Sequence, residues 1–184
     1  MARSYKEVWL ALLAAALIAA LYGWVVWSTR TIPAAAGLFG HSIGVVGFLL
    51  MLSTETLYSL RKRSRLARFG RLSTWLKVHI FTGLVGPFMV LLHTAGKLNG
   101  LAGVTTLLTV LIVISGFAGR YIYTRIPRTL DGVEIENDVS RELLVQSRRV
   151  LSLWHTIHIP IGLVLFTLAF IHLGAALYYS TFLR

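Results

Sequence analysis

Five apolar stretches long enough to cross a bilayer constrain the fold of this chain more than any other feature. Crossing the hydrocarbon core takes about 20 apolar residues in a helix. Only 14% of the residues are charged, whereas about a quarter are charged in soluble domains. The sequence therefore predicts an all-α membrane protein in which residues 1–184 form a single transmembrane domain. Its five spans are expected at residues 8–27, 37–60, 72–95, 101–123 and 151–179.

The first stretch has some features of a signal peptide. Basic residues precede it, and the segment 33–36 (PAAA) resembles a cleavage site. Its apolar run is longer than the 7–15 residues or so of a typical signal-peptide core. We therefore expect it to be a retained span.

The formal net charge of +11 is distributed in the manner of a membrane protein. Basic residues crowd into the segments 61–71 and 125–149, at the ends of apolar runs, and the other set of loops and ends holds only Arg30, Lys97 and Arg184. This distribution argues against nucleic acid as a partner and predicts membrane lipid instead. Because Lys and Arg stay on the cytoplasmic side, we expect a cytoplasmic N-terminus and an outer C-terminus in a bacterial-type inner membrane.

Four of the six histidines form two pairs with the same spacing. His79 and His93 lie in the third span, and His158 and His172 lie in the fifth, each pair being fourteen residues apart. Fourteen residues return a helix to within about 40° of its starting direction and advance it by about 21 Å. Both imidazoles of a pair should therefore share one helix face, one near each edge of the membrane.

The predicted topology places the two pairs at matching depths. The third and fifth spans have one span between them and so run parallel, which puts His79 level with His158 near the cytoplasmic side. His93 is then level with His172 near the outer side. Two imidazoles at each of two levels would suit two haem irons, each with one axial histidine from either helix.

Membrane chemistry favours a metal-binding role for these histidines. Ionisable groups inside a membrane are costly and usually functional, and neutral imidazole is a good iron ligand. Zinc usually requires three or four clustered ligands, and a purely structural role would have histidines bonded to helix carbonyls. The chain has no cysteine, which excludes thiolate-ligated clusters and the thioether attachment of c-type haem. The expected cofactors are two haem b groups.

The two fourteen-residue histidine spacings, together with the tail HIPIG…FIHLG of residues 158–174, resemble the di-haem cytochrome b superfamily. That superfamily includes cytochrome b of quinol:cytochrome c oxidoreductases, small bacterial quinone-linked cytochrome b proteins and the transmembrane domains of ferric reductases. The resemblance covers spans two to five and implies that these spans form a di-haem four-helix bundle. It also implies electron exchange with quinone or with other redox subunits, whether iron–sulfur, multihaem or flavoprotein.

Other residues are candidates to contact these cofactors. Gly83 and Gly86 lie between the third-span ligands and would let a porphyrin approach the helix. Arg120 is a candidate to bind a haem propionate, as are Arg125 and Lys77. Pro87 is expected to bend the third span.

Three polar residues keep more than one interpretation. His155 is an alternative to His158 as inner ligand, although it lies about 100° from the face of His172. His41 is a spare ligand, a quinone contact or an interfacial residue. Glu55 is a proton carrier for quinone chemistry or the partner of a basic side chain.

The sequence thus predicts a membrane subunit of an oxidoreductase complex that transfers electrons across the membrane, and quinone is a candidate exchange partner. One alternative is a ferric-reductase-like enzyme that passes electrons to a small acceptor. Another is a haem-free transporter or structural subunit that uses its histidines for protons or packing.

Overall fold

The computed structural model describes residues 5–63, 72–125 and 141–182. Within these ranges all regular secondary structure is helical, and five helices are long and apolar enough to span a membrane. The prediction of an all-α chain with five such helices is confirmed. They are α1 (Lys6–Thr29), α2 (Leu38–Arg63), α3 (Leu72–His93), α4 (Gly100–Arg125) and α5 (Arg141–Phe182).

Two of the basic segments that carry the predicted orientation, residues 64–71 and 126–140, lie outside the described residues. The orientation of the chain therefore stays a prediction. So does the assembly of spans two to five into a four-helix bundle.

All helix ends but one lie within three residues of the expected span ends, and two of the differences are informative. The third span was expected to reach residue 95, but α3 ends at His93 because Ala95 (φ 49°) and Gly96 (φ 76°) adopt the left-handed conformation that ends helices. The fifth helix begins ten residues before the predicted span, since α5 starts at Arg141. Apolar content marks the membrane-spanning part, whereas the helix continues into a polar segment.

The large apolar side chains lie mostly on the outside of the helices. Leu17 is 59% exposed, Trp24 63% and Leu163 70%. The buried apolar residues among those described are few, namely Ala11, Met51, Val85 and Leu165. A soluble protein would bury such side chains to remove them from water, whereas in a bilayer the lipid covers them. This distribution supports contact with membrane lipid.

The chain divides into two compact units, Met1–Thr106 and Leu107–Arg184. The first contains α1, α2, α3 and the beginning of α4. The second contains the rest of α4 and α5. The prediction of one domain over the whole chain stays a prediction.

In the first unit, α2 and α3 come closest at a pair of glycines. A Cβ atom added to Gly47 would lie 2.9 Å from the carbonyl oxygen of Gly86, and one added to Gly86 would lie 2.9 Å from that of Gly47. Both glycines are buried. Small residues allow this approach of backbones, which is a common basis of helix packing in membranes.

A second α2–α3 contact lies about two turns from the glycine pair. Thr54 Oγ1 donates a hydrogen bond to Thr82 Oγ1 at 2.7 Å, and Thr82 in turn donates to the Val78 carbonyl at 2.9 Å. Bonds between side chains of membrane helices contribute about 0.6 kcal/mol on average. The register of α2 on α3 is therefore set mainly by the glycine contact.

The glycine contact predicts the effect of adding one methyl group. Gly86→Ala should lower the free energy of unfolding by about 1–3 kcal/mol, because the new Cβ forces the two backbones apart. Unfolding by SDS titration in mixed micelles measures this change.

Gly23→Ala in α1 is the matched control, since an added Cβ there meets nothing within 4 Å. It should leave the free energy of unfolding unchanged or raise it by up to about 1 kcal/mol, because alanine favours a helix more than glycine does. Equal effects of the two substitutions would contradict the close contact at Gly86.

Candidate functional site

His79 lies half-buried on α3, facing α2. Its Nδ1 atom is 3.0 Å from the carbonyl oxygen of Thr54. A carbonyl oxygen only accepts hydrogen bonds, so the neutral ring carries its proton on Nδ1. The lone pair that binds a metal ion is then on Nε2.

His93 repeats this arrangement in the last turn of α3. Its Nδ1 atom lies 2.8 Å from the carbonyl oxygen of Gly40, on α2. The ring occupies space left by Gly44, where an added Cβ would come within 2.7 Å of the imidazole. The same tautomer follows, with Nε2 unprotonated.

The contacts of α2 with α3 follow a regular register. His79 meets Thr54, Gly86 meets Gly47, and His93 meets Gly40, so that each step is seven residues on either helix. Seven residues are close to two turns of helix. The spacing of the α3 histidines is therefore matched by equally spaced partners on antiparallel α2, and both rings point to that neighbour.

In the second unit, His158 lies half-buried on α5 beside α4. Its Nδ1 atom is 3.0 Å from Ser115 Oγ. The indole of Trp154, one turn earlier, stacks on the imidazole with ring centroids 4.5 Å apart and an angle of 28° between the planes. His158 is thus in contact with two side chains, those of Ser115 and Trp154.

The other histidines have different surroundings. His172 is half-buried on α5, fourteen residues beyond His158. His155 packs against the ring of Trp154, with ring centroids 4.8 Å apart and an angle of 58° between the planes. His41 is exposed, and its ring meets that of His93 edge-on at 6.5 Å.

The predicted cofactor contacts on α3 and α4 also have contacts within the protein. Gly86 packs against Gly47 and Met51, and a Cβ at Gly83 would lie 3.3 Å from the methyl group of Thr54. The backbone contacts at Gly86 leave no room for a side chain there, whereas at Gly83 only the Thr54 methyl group would have to shift slightly. Arg120 is half-buried on α4. The assignment of all three to cofactor binding stays a prediction.

Two further sequence predictions can be compared with local structure. Pro87 is buried inside α3, and the helix continues through it; the expected bend stays a prediction. Glu55 is exposed and accepts a hydrogen bond from Ser59 at 3.5 Å.

The chemistry of the described residues suits pairs of ligands. Within residues 5–63, 72–125 and 141–182, no group of three or more His, Asp or Glu side chains is placed to hold a metal ion. A haem iron needs only two protein ligands, because the porphyrin supplies the others. The pairing of α3 histidines with α5 histidines stays a prediction.

Sequence reasoning missed the residues that hold the imidazoles. Gly44, Ser115 and Trp154 contact the histidine rings directly. The carbonyl oxygens of Gly40 and Thr54 accept hydrogen bonds from the rings of His93 and His79. One sequence signal was available for α2, where Gly40, Gly47 and Thr54 follow one another at seven-residue intervals. Trp154 has a comparable signal, because Trp75 and Trp154 each stand four residues before a candidate ligand; Ser115 has none.

Comparison of the chain with protein-family models, with curated proteins and with solved structures gave no match. The functional argument therefore rests on the residues themselves.

The carbonyl contacts predict the tautomer of the α3 histidines. In cofactor-free protein, His79 and His93 should both carry their proton on Nδ1, because that nitrogen faces a carbonyl oxygen, which only accepts hydrogen bonds. Nitrogen-15 NMR of ring-labelled histidine in micelles at a pH above 8 measures the tautomer, and His79→Gln and His93→Gln assign the signals. Protonation of Nε2 in either ring would contradict the contact.

Proposed function

We propose that the protein transfers electrons across a membrane through two bis-histidine haem b groups. His79 and His158 bind one haem, and His93 and His172 bind the other. The pairing follows from the equal spacings in the sequence and from the parallel course expected of α3 and α5.

The observation that carries the proposal is the way α2 holds the two α3 histidines. Both rings point to the same neighbouring helix, at positions fourteen residues apart, and both donate Nδ1–H to a backbone carbonyl. Metal-bound histidines almost always donate their second ring nitrogen to such an acceptor, which fixes the ring and raises its basicity. Histidines in a purely structural role also bond to helix carbonyls, so what supports iron binding is the recurrence of this orientation at the matched fourteen-residue spacing.

The residues fit the group chemically. Protonation of Nδ1 leaves Nε2 as the metal-ligand atom in both His79 and His93. The absence of a side chain at Gly44 leaves space for the His93 ring. A haem with two axial histidines supplies one-electron transfer, because neither face of the iron is open to oxygen or substrate. The chain itself orients the imidazoles of His79 and His93 through backbone carbonyls.

The proposal extends to the setting of the protein. The basic segments support a bacterial-type inner membrane with the N-terminus cytoplasmic and the C-terminus outside. The chain serves as the membrane subunit of an oxidoreductase complex, and it exchanges electrons with quinone at one side or with iron–sulfur, multihaem or flavoprotein subunits. Arg120 binds a propionate of the cytoplasmic-side haem.

Substitution of the four histidines tests both the haem and the pairing. Each of His79→Ala, His93→Ala, His158→Ala and His172→Ala should reduce the haem content of purified protein from two per chain to about one, since a haem keeps its place poorly with one axial ligand. The double variants distinguish the pairs. His79→Ala with His158→Ala should retain one haem, whereas His79→Ala with His93→Ala should retain none.

His155→Ala is the control and should retain both haems. Haem content is measured from the absorbance of the pyridine complex against protein concentration. If wild-type protein binds no haem b, the proposal is wrong, and a haem-free transporter or structural subunit takes its place. Loss of a haem in His155→Ala but not in His158→Ala would contradict the choice of inner ligand.

Gly44 offers a test that leaves every ligand in place. Gly44→Ala brings a methyl group within 2.7 Å of the His93 ring, so His93 must turn or move. We expect one haem to bind about 10–100-fold more weakly, the range typical for loss of the residues that support a metal ligand. The other haem should be unaffected.

Haem titration of cofactor-free protein measures both affinities. Gly23→Ala, with open space around the added methyl group, is the control and should match the wild type. Equal weakening of both haems by Gly44→Ala would contradict a local effect on His93.

A further inference from the structure

The second unit holds His158 in a cluster of side chains from α4 and α5. Trp154 Nε1 donates to the carbonyl oxygen of Ser115 at 2.7 Å and to Ser115 Oγ at 3.1 Å. Ser115 Oγ also lies 3.0 Å from His158 Nδ1. One serine thus joins the indole to the imidazole, and the two rings stack on each other.

A glycine on α4 makes room for this cluster. Gly119 is buried, one turn after Ser115, and a Cβ atom there would collide with the six-membered ring of Trp154. Gly116 lies on the same helix, and an added Cβ there meets nothing within 4 Å. The indole of Trp154 therefore packs on the surface of Gly119 and donates hydrogen bonds to both oxygens of Ser115.

The contact at His158 differs chemically from those at His79 and His93. A carbonyl oxygen accepts hydrogen bonds only, so it admits a single tautomer of the ring. A serine hydroxyl both donates and accepts, so it bonds to Nδ1 whether or not that nitrogen carries the proton. The Nδ1 contact of His158 is therefore to a side chain that can be substituted, whereas the Nδ1 contacts of the α3 histidines are to the backbone.

We propose that Ser115 and Trp154 are positioning residues for His158, which orient its imidazole so that Nδ1 faces Ser115 and Nε2 faces the metal. This inference rests on the proposed function for the identity of the metal group. Trp154 restricts the His158 ring by stacking on it. With Nε2 as the iron ligand, Nδ1–H would donate a hydrogen bond to Ser115 Oγ. The cluster also favours His158 over His155 as the ligand, because the hydroxyl contact is made to His158.

Ser115→Ala removes the hydroxyl group but keeps the indole in place, because Trp154 Nε1 still donates its shorter hydrogen bond to the backbone carbonyl of residue 115. In protein with haem, we expect one of the two haems to bind about 10–100-fold more weakly. Its low-spin ferric EPR signal should also move, because that signal depends on the orientation of the axial imidazole planes. The second haem should keep its affinity and its signal, and Ser115→Thr should restore both properties.

Gly119→Ala and Gly116→Ala form a matched pair on α4. Gly119→Ala displaces the indole and should reproduce the effect of Ser115→Ala, whereas Gly116→Ala should match the wild type. If Ser115→Ala changes neither haem, or changes both equally, the positioning role is refuted. Equal effects of the two glycine substitutions would refute it as well.

A measurement without haem separates this inference from the proposed function. In cofactor-free protein, the ring nitrogen-15 signals of His158, assigned with His158→Gln, should move in Ser115→Ala and return in Ser115→Thr. The signals of His79 and His93 should stay in place. Unchanged His158 signals would refute the positioning role of Ser115 even if the protein binds haem. Signals that move in a protein that binds no haem would support the positioning role and refute only the proposed function.

Discussion

The close approach of α2 and α3 at Gly47 and Gly86 is the contact on which the candidate site depends. Each glycine faces the other's carbonyl oxygen at a distance that leaves no room for a side chain. Seven residues away on either side, the same register brings His79 to the Thr54 carbonyl and His93 to that of Gly40. A slip of one residue between the helices would break both histidine contacts, so the packing of two glycines determines the orientation of two imidazoles about 21 Å apart.

In this arrangement, backbone carbonyl oxygens of α2 orient the imidazoles of α3. A helix interior normally has no carbonyl to spare, because each accepts a bond from the amide four residues later. A carbonyl oxygen has two lone pairs, however. The carbonyl oxygens of Gly40 and Thr54 use the second lone pair to accept a hydrogen bond from an imidazole N–H. Side-chain substitution does not remove such an acceptor. His158 differs, since Ser115 and Trp154 hold it through groups that a single substitution removes.

The sequence predicted the helices and the histidine spacing well because both depend on local pattern. Apolar length alone identifies five spans, and fourteen residues share a helix face by geometry. The packing could not be predicted in this way. The chain has 16 glycines. Gly47 stands at a seven-residue interval from Gly40 and Thr54, but the order of residues does not show that it faces Gly86, whereas a Cβ added to Gly116 would meet nothing. Ser115 and Trp154 are likewise brought together from positions 39 residues apart. Helix ends were missed for a related reason, since Ala95 and Gly96 end α3 through backbone conformation rather than through polarity.

The central claim is that this chain holds two haem b groups through paired histidines. Its most direct test is the haem content of the wild-type protein, purified in mild detergent, together with its dithionite-reduced minus oxidised spectrum. The account predicts two haems per chain, a Soret band and an α band typical of low-spin haem b. A colourless protein that takes up no haem when it is offered would contradict the account.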